Sequence, residues 1–352
     1  MVKLVMNKKL GIPALIVTAI LSMVSIAPTH ADSTSSRVGC VQPKKPAKDL
    51  GTLIVSGANT QLTSVQWGIE QGCFKKYGLT IKTVNVATSQ IGIAGLIGHS
   101  FDLTMTTPTV LMLAMANGNF AGKIVAPRHG YSAAELARAK QEPLYPGELL
   151  LQTALIVRKD SAITSWKDLS NRKIGLKTLQ SQEQAGILLA MRAIGASAAK
   201  TQFLTVPDAQ MPAALERGDV DAVVSSDPFA TQIILAGGRI IGYPTAYYAE
   251  PGVTVAYISS QDIVEKNQVA MRAFAKTTLE INHLLNQPES DASYRKVIAQ
   301  VTGVSDAVAA KVRLPIMVEK NVTFTDIAYI PNKLKLLGFT RSRVNLAPIL
   351  FR

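Results

Sequence analysis

Residues 216–230 read ERGDVDAVVSSDPFA, with three aspartates, two adjacent serines and a proline around a short apolar run. Asp219 and Asp221 are candidate metal ligands, and Ser225 and Ser226 are candidate nucleophiles. Alternate residues of a strand point to the same side, but no histidine or third acid lies near the first two aspartates to complete a metal site. We therefore predict no metal site here.

A structural interpretation of the same stretch accounts for more of its residues. Gly218 ends a helix, Asp221 opens a buried strand, and Pro228 starts the next helix. GHSFDLTMTTP at 98–108 follows the same scheme, with an aspartate-to-proline spacing of six residues instead of seven. This similarity predicts two sheets of related build.

Strand-like and helix-like segments alternate along most of the chain. TLIVSG at 52–57 is a predicted strand, ANTQLT at 58–63 a polar loop, and 64–74 a helix, and a comparable pattern restarts at 154. Alternating strands and helices predict mostly parallel sheets with right-handed crossovers. At 352 residues the chain is too long for one ordinary core, so we expect two lobes.

The segment boundaries follow from this pattern. We expect a signal peptide at 1–31, a flexible leader at 32–50, a first segment of lobe 1 at 51–148, lobe 2 at 149–248, and a return to lobe 1 with C-terminal helices at 249–352.

Composition narrows the class of protein. The net charge is +13, which indicates nucleic acid, an anionic membrane surface or anionic solutes as partners. The basic residues form no run longer than two, and aromatic residues, at 6%, do not alternate with them. We therefore expect no nucleic-acid groove.

The amino terminus resembles a secretory signal. Basic residues precede an apolar stretch at 10–27, and Pro28 and small residues follow it, which predicts cleavage near Ala31. Retention as a membrane anchor is the alternative. The exported chain would work in the periplasm or another extracytoplasmic space.

Only two cysteines occur, Cys40 and Cys73. In an exported chain an even pair predicts a disulfide, and two unpaired thiols are the alternative.

Ligands of open α/β sheets bind beyond the carboxyl ends of the strands, where helix amino termini present free N–H groups. The loops at these positions are rich in neutral polar residues, which favours capture of a small polar or anionic solute over catalysis. Arg128 and Lys177, at strand ends, are candidate partners of an anionic group, and Tyr248 is a candidate cover for a ligand or a packing residue of the hinge. The predicted ligand-binding residues are Asn59, Thr60, Gln61, Thr88, Ser89, Thr106, Thr107, Arg128, Thr178, Ser181, Gln182, Ser226, Asp227 and Tyr248.

Four motifs together resemble one family, the solute-binding proteins of ABC transporters of the nitrate/sulfonate/taurine and thiamine-precursor type. They are GIEQGCFKKYGLTI at 68–81, GHSFDLTMTTP at 98–108, SWKDL with KIG at 165–175, and ALERGDVDA with Asp-Pro at 214–228. The similarity spans roughly residues 52–290 in the family's order. Departures include Asn171-Arg172 in place of the usual Gly-Lys and an apparent insertion at 129–149.

The resemblance implies an α/β, two-lobed periplasmic-binding-protein fold of type II. Each lobe would be a mixed, mostly parallel sheet flanked by helices, and solute would be held in the cleft by hinge closure. The implied partners are a small solute (a sulfonate, nitrate, a carboxylate or a pyrimidine) and an ABC permease with a cytoplasmic ATPase. We expect a monomer without cofactor.

Two other functions remain open from sequence. A ligand-sensing subunit would use the same fold. Some relatives make a thiamine precursor with a cysteine-rich cluster, which this chain lacks, and the closest approach to a hydrolase G-x-S-x-G elbow, at 130–134, lacks its final glycine. We therefore predict no catalytic residues.

Overall fold

The computed structural model describes residues 39–45, 47–118, 120–141, 149–342 and 344–352. The predicted signal peptide and residues 32–38 and 46 of the predicted leader lie outside these residues. Within them, no helix is long and apolar enough to cross a membrane.

The first sheet has five strands. Their order across the sheet is β2 (Thr80–Asn85), β1 (Thr52–Gly57), β3 (Leu103–Thr106), β10 (Gly252–Ser260) and β4 (Gly122–Tyr131). β1 pairs in parallel with β2 and β3, whereas β10 pairs antiparallel with β3 and β4. Four strands therefore run one way and the late strand β10 runs the other.

The second sheet repeats this plan. Its order is β7 (Gln202–Thr205), β6 (Lys173–Leu176), β8 (Ala222–Ser226), β5 (Thr153–Val157) and β9 (Arg239–Gly242). β6 is parallel to β7 and β8, and β5 is antiparallel to β8 and β9. The prediction of mixed, mostly parallel sheets is confirmed. We call the parts built on the first and second sheets lobe 1 and lobe 2.

Helices flank both sheets and supply the connections. They are α1 (Asn59–Glu70), α2 (Cys73–Lys76), α3 (Ser89–Ile97), α4 (Pro108–Gly118), α5 (Ala133–Gln141), α6 (Gln182–Ala193), α7 (Met211–Arg217), α8 (Phe229–Leu235), α9 (Pro244–Tyr248), α10 (Gln261–Lys266), α11 (Gln268–Leu285), α12 (Asp291–Thr302), α13 (Asp306–Ala309), α14 (Phe324–Ile327) and α15 (Ile330–Leu336).

One local prediction was wrong. Residues 58–63 are not a loop, because α1 begins at Asn59. The N-cap residue is Ala58, which has no side-chain acceptor. Instead, the side-chain oxygen of Gln61 accepts a hydrogen bond from the Ala58 backbone N–H at 3.1 Å. The polar residues of this stretch belong to the first turns of a helix, where Thr60, Gln61 and Thr63 are buried, and not to a connecting loop.

The apolar run of the stretch quoted first is buried on both faces of the second sheet. Val223 packs in one apolar cluster with Ile156, and Val224 in another with Leu155. Successive side chains of a strand point to opposite faces, so two adjacent valines serve two cores. β8 is thus the central strand of the second sheet, and the prediction that its valines are buried is confirmed.

Aspartates fix the parallel pairing in both lobes. Asp102, directly before β3, donates its N–H to the Ile54 carbonyl and accepts from the Ile54 N–H at 2.7 Å. Asp221, directly before β8, makes the same two bonds with Lys173, its carboxylate accepting at 2.8 Å. Each aspartate therefore satisfies a backbone N–H of the neighbouring strand, and the two similar motifs have the same structural task.

The predicted disulfide is present. Cys40 and Cys73 are bonded across a sequence separation of 33 residues, and both are buried. The bond holds the start of the described chain against α2.

Candidate functional site

A cavity lies between the two lobes, at the edge where most strands of both sheets end. Its volume is about 60 Å³, which is room for about four water-sized groups. It is lined by Thr60, Gln61, Ser89, Thr107, Val110, Arg128, His129, Tyr131, Gln152, Thr153, Leu176, Lys177, Thr178, Ser181, Gln182, Glu183, Val224, Ser226, Asp227 and Val255.

Helix amino termini form much of this wall. Thr60 and Gln61 lie in the first turn of α1, and Ser89 is the first residue of α3. Ser181 caps α6 by accepting from the Gln184 N–H at 3.4 Å. The free N–H groups and dipoles of such helix starts favour negative charge.

The structure brings most of the predicted site residues together. Ten of the fourteen line the cavity: Thr60, Gln61, Ser89, Thr107, Arg128, Thr178, Ser181, Gln182, Ser226 and Asp227. Their contact with a ligand stays a prediction.

The other four lie elsewhere. Asn59 and Thr88 are not part of the wall, and the Thr88 hydroxyl caps α3. Thr106 is fully buried within its strand. Tyr248 is buried in the lobe 1 core, where its hydroxyl is 3.0 Å from that of Thr109 and its ring packs on Tyr329. Packing is thus what the structure shows for Tyr248.

Arg128 is the most deeply placed cation of the site, with 3% of its surface exposed. Its Nε donates to Ser64 and its Nη2 to the Thr60 carbonyl and the Thr63 hydroxyl. Every hydrogen-bond partner it has among the described residues is uncharged. Buried charges are normally paired, so a buried guanidinium with no ion-pair partner within the described ranges is an exception.

His129 follows Arg128 and shares its environment. Its Nδ1 lies 2.7 Å from Nη1 of Arg128. A guanidinium only donates, so Nδ1 accepts and the ring proton lies on Nε2. Burial, and then the charges of Arg128 and Lys177, hold the pKa of His129 well below its usual value. The ring is therefore neutral and offers a hydrogen-bond donor.

Lys177 completes this positive region, and its partner Asp208 connects the lobes. Its ammonium pairs with Asp208 at 3.1 Å, and the same carboxylate oxygen accepts from the Thr60 hydroxyl of lobe 1 at 3.1 Å. The other carboxylate oxygen of Asp208 is buried without a partner among the described residues.

Asp227 stands at the exit of β8, before a cis bond to Pro228. Its Oδ1 accepts from the Thr231 N–H and hydroxyl, and its Oδ2 from the Arg313 N–H at 2.8 Å. Burial raises its pKa to about 6, against the lowering effect of these hydrogen bonds. Asp227 thus lines the cavity, and its carboxylate has no ion-pair partner within 4.0 Å among the described residues.

Sequence reasoning missed several wall residues. His129 and Tyr131 were not named among the binding residues; they belong to β4, which continues to Tyr131 and is paired there with β10. Gln152 and Thr153 precede or begin β5, which runs antiparallel to β8, so that its start faces Ser226. The start of an antiparallel strand lies at the edge where the parallel strands end, but strand direction is not readable from sequence.

The other candidates of the first stretch occupy structural positions outside the cavity wall. Asp219 is exposed and pairs with Arg217 at 2.6 Å, and Asp221 binds a strand N–H. Ser225 is fully buried in the sheet. Within the described ranges, no group of three or more histidine, cysteine, aspartate or glutamate residues is placed to hold a metal ion.

Several solved structures with a similar fold are named as solute-binding proteins. The alkanesulfonate-binding protein SsuA of Xanthomonas axonopodis pv. citri, bound to MOPS, is 18% identical, with a TM-score of 0.69 over 89% of this chain and 100% of its own. The periplasmic aliphatic sulphonate-binding protein SsuA of Escherichia coli is 19% identical, with a TM-score of 0.64 over 84% of this chain and 95% of its own.

The periplasmic nitrate-binding protein NrtA of Synechocystis PCC 6803 is more distant. It is 15% identical, with a TM-score of 0.59 over 75% of this chain and 69% of its own. At such identities these likenesses show the fold, and they confirm the predicted two-lobed periplasmic-binding architecture.

No curated protein matches this chain by sequence. The family model of the NMT1-like family matches residues 43–302, which include both sheets and the whole cavity wall. The chain therefore belongs to the NMT1-like family.

Proposed function

We propose that this protein binds a small anionic solute between its lobes, outside the cytoplasm, and delivers it to an ABC permease driven by a cytoplasmic ATPase. Three of its fold neighbours are named as sulfonate- or nitrate-binding proteins, and two others as components of ABC-type import or transport systems. We propose further that the chain is exported with cleavage near Ala31, acts as a monomer and releases its solute unchanged.

One observation carries the proposal. Arg128 is a buried cation on the wall of the interlobe cavity, and no carboxylate within the described residues pairs with it. A guanidinium has five N–H groups, and one of the two on Nη1 has no partner in the contacts above. An anion in the cavity would accept from it and supply the missing negative charge.

The surrounding groups suit the same ligand. His129 is neutral with a free donor, and the hydroxyl of Thr178 is buried without a partner among the described residues. Neutral donors and helix amino termini bind an anion without a further charge, while the cavity volume limits the solute to a small one.

Calorimetry of the purified protein with nitrate, short alkanesulfonates and short carboxylates tests the proposal. We expect at least one of these anions to bind, and a hundredfold excess over its dissociation constant to stabilise the fold by about 2.7 kcal/mol. Replacing Arg128 with methionine should weaken that binding at least about thirtyfold, because a buried charged hydrogen-bond partner is lost.

Arg217→Met is the matched control. Arg217 is exposed on lobe 2 and pairs with Asp219, away from the cavity, so its loss should leave binding unchanged. Absence of binding for the whole panel, or equal binding by Arg128→Met and the wild type, would count against anion capture. Recovery of a chemically altered solute would indicate an enzyme.

A further inference from the structure

The positive charge of the chain is unevenly distributed. Residues 149–250, which hold the whole second sheet, contain ten lysines and arginines against nine aspartates and glutamates, whereas the full chain has 37 against 24. The segment that builds lobe 2 is therefore nearly neutral, and the excess lies in the rest of the chain. A surface charge concentrated on one part of a protein favours an anionic partner for that part.

Some of this charge is gathered where residues 40–51 pack against α2. The disulfide holds the start of this segment, and the Gln42 side-chain amide donates to the Gly72 carbonyl at 3.0 Å. Further along, the Lys48 carbonyl packs on Gly78 so closely that a β-carbon there would have no room. The segment is therefore held at both ends, and it carries three exposed lysines: Lys44, Lys45 and Lys48.

Three more lysines, on α2 and α11, meet the segment at Tyr77, the residue before Gly78. The Lys276 ammonium lies 5.1 Å from the centre of the Tyr77 ring, and that of Lys76 lies 5.5 Å from the same ring. Lys75 is the exposed neighbour of Lys76 on α2. We call the surface formed by these six lysines the basic face: Lys44, Lys45, Lys48, Lys75, Lys76 and Lys276.

Few carboxylates oppose the basic face. Residues 40–51, α2 and α11 contain only Asp49 and Glu280, and Glu70 ends α1 just before α2. Glu280 pairs with Lys76 at 2.6 Å, so the other five lysines keep their charge exposed to solvent or to the Tyr77 ring. Arg272 adds a further cation one helical turn before the α11 lysine.

Exposed apolar side chains flank the basic face on both sides. Val41, in the segment that carries Lys44, is 80% exposed, and Val269, one turn before Arg272 on α11, is 64% exposed. They are the two most exposed large apolar side chains among the described residues. Lysines beside exposed apolar groups suit the boundary of a lipid bilayer, where phosphates and acyl chains lie next to each other. A nucleic acid offers the phosphates without the apolar layer.

We propose that the basic face binds the surface of an anionic phospholipid bilayer and so keeps the protein beside the membrane. Clusters of about four to eight basic residues bind such surfaces, and each residue strengthens the binding by about fivefold. This role goes beyond solute capture and does not depend on which solute is bound.

The basic face lies away from the cavity. It adjoins the last turn of α1, whereas the cavity is lined by the first turn of α1. This helix has 12 residues and is therefore roughly 17 Å long. A bilayer on the basic face would contact the opposite end of α1 from the cavity, so membrane binding and solute binding can be measured separately.

Flotation of the purified protein with lipid vesicles tests the proposal. One set of vesicles contains equal parts of phosphatidylglycerol and phosphatidylcholine, and the other contains phosphatidylcholine alone. At about 0.05 M salt we expect binding to the anionic vesicles to be at least about thirtyfold tighter, and at about 0.5 M salt we expect most of that difference to disappear because salt screens exposed charges.

Two variants with the same change in net charge assign the binding to its surface. The test variant replaces four exposed lysines of the basic face: Lys44→Gln, Lys45→Gln, Lys48→Gln and Lys75→Gln. The control replaces four exposed lysines of lobe 2: Lys159→Gln, Lys167→Gln, Lys173→Gln and Lys200→Gln. The test variant should bind anionic vesicles at least about thirtyfold more weakly than the wild type, and the control less than about threefold more weakly.

Several results would overturn a membrane-binding basic face. They are a lack of binding to either kind of vesicle, equal binding to both kinds, and equal losses in the two variants. Tighter binding of a random-sequence DNA duplex than of anionic vesicles at the same salt, lost in the test variant, would assign the basic face to nucleic acid instead. Anion capture is measured by calorimetry without vesicles, and the test variant should keep the wild-type affinity there, so failure of one proposal is distinguishable from failure of the other.

Discussion

The hydroxyl of Thr60 in lobe 1 donates a 3.1 Å hydrogen bond to the carboxylate of Asp208 in lobe 2, and both residues are buried. The acceptor is charged and is also held by Lys177. Hydrogen bonds to charged groups contribute about 1.5–3 kcal/mol when buried. This contact therefore favours the arrangement in which the lobes enclose the cavity.

Thr60→Val removes that hydrogen bond at nearly constant volume. We expect the enclosed arrangement to lose population, since its free-energy advantage falls by about 1–2 kcal/mol. Distances between spin labels on the two lobes, measured in the ligand-free protein, should become longer or more broadly distributed. Thr201→Val is the control, because Thr201 donates to Leu169 within lobe 2. An unchanged distance distribution in Thr60→Val would contradict this role.

The stability contribution of Asp227 depends on pH. Its pKa is about 6 in the folded protein against 3.8 for the free side chain, so the folded state holds the proton more tightly. The contribution of Asp227 to the free energy of unfolding is therefore fully present below pH 3.8. It falls by about 3 kcal/mol as the pH rises through about 6. Urea unfolding from pH 3.5 to 7.5 measures it.

Asp227→Asn lacks this titration. The free energy of unfolding of the variant, minus that of the wild type, should rise by about 3 kcal/mol across the same pH window, while other groups cancel. A difference that stays constant with pH would mean that the Asp227 carboxylate titrates near its free value.

Loss of the disulfide should destabilise the protein without touching the cavity. A 33-residue separation predicts a cost of about 3–4 kcal/mol for Cys40→Ala with Cys73→Ala. Thermal unfolding of the double variant and of the reduced wild type should shift by similar amounts. Equal stability of the oxidised and reduced wild type would show that the bond contributes nothing.

Asp102 and Asp221 should make equal contributions to the free energy of unfolding. Alanine at either position leaves a strand N–H without its carboxylate acceptor, for which we expect a loss of about 1–2 kcal/mol each. The two losses should add in the double variant, since the residues lie in different lobes. Asp219→Ala, at an exposed position, should change the free energy of unfolding by less than about 0.5 kcal/mol. Unequal losses of unfolding free energy would show that the two similar motifs have different structural roles.

The sequence predicted the fold best where the local residue pattern agrees with the packing of the folded protein. Val223 and Val224 are apolar and adjacent, and glycine and proline bound their strand, so β8 was placed correctly. The four-residue strand β9 was not predicted, because RIIG follows two glycines and is too short for a clear period.

Site residues that follow the ends of parallel strands were predicted from sequence. Site residues at the start of an antiparallel strand were not. Thr178 and Asp227 follow strands and were named. Gln152 and Thr153 reach the cavity only because β5 runs against β8, and that direction is set by pairing between distant segments. The lowered pKa of His129 likewise follows first from its burial and then from the charges of Arg128 and Lys177; the burial and the approach of Lys177 are not revealed by sequence position.

The position of β10 has a consequence for the order in which the molecule is assembled. All strands of lobe 2 lie between residues 153 and 242, so that sheet is complete once this contiguous segment has been synthesised. β10 lies between β3 and β4 and pairs with both, so the sheet of lobe 1 lacks its fourth strand until residue 260 has been synthesised. The part of the protein that is started first is therefore finished last.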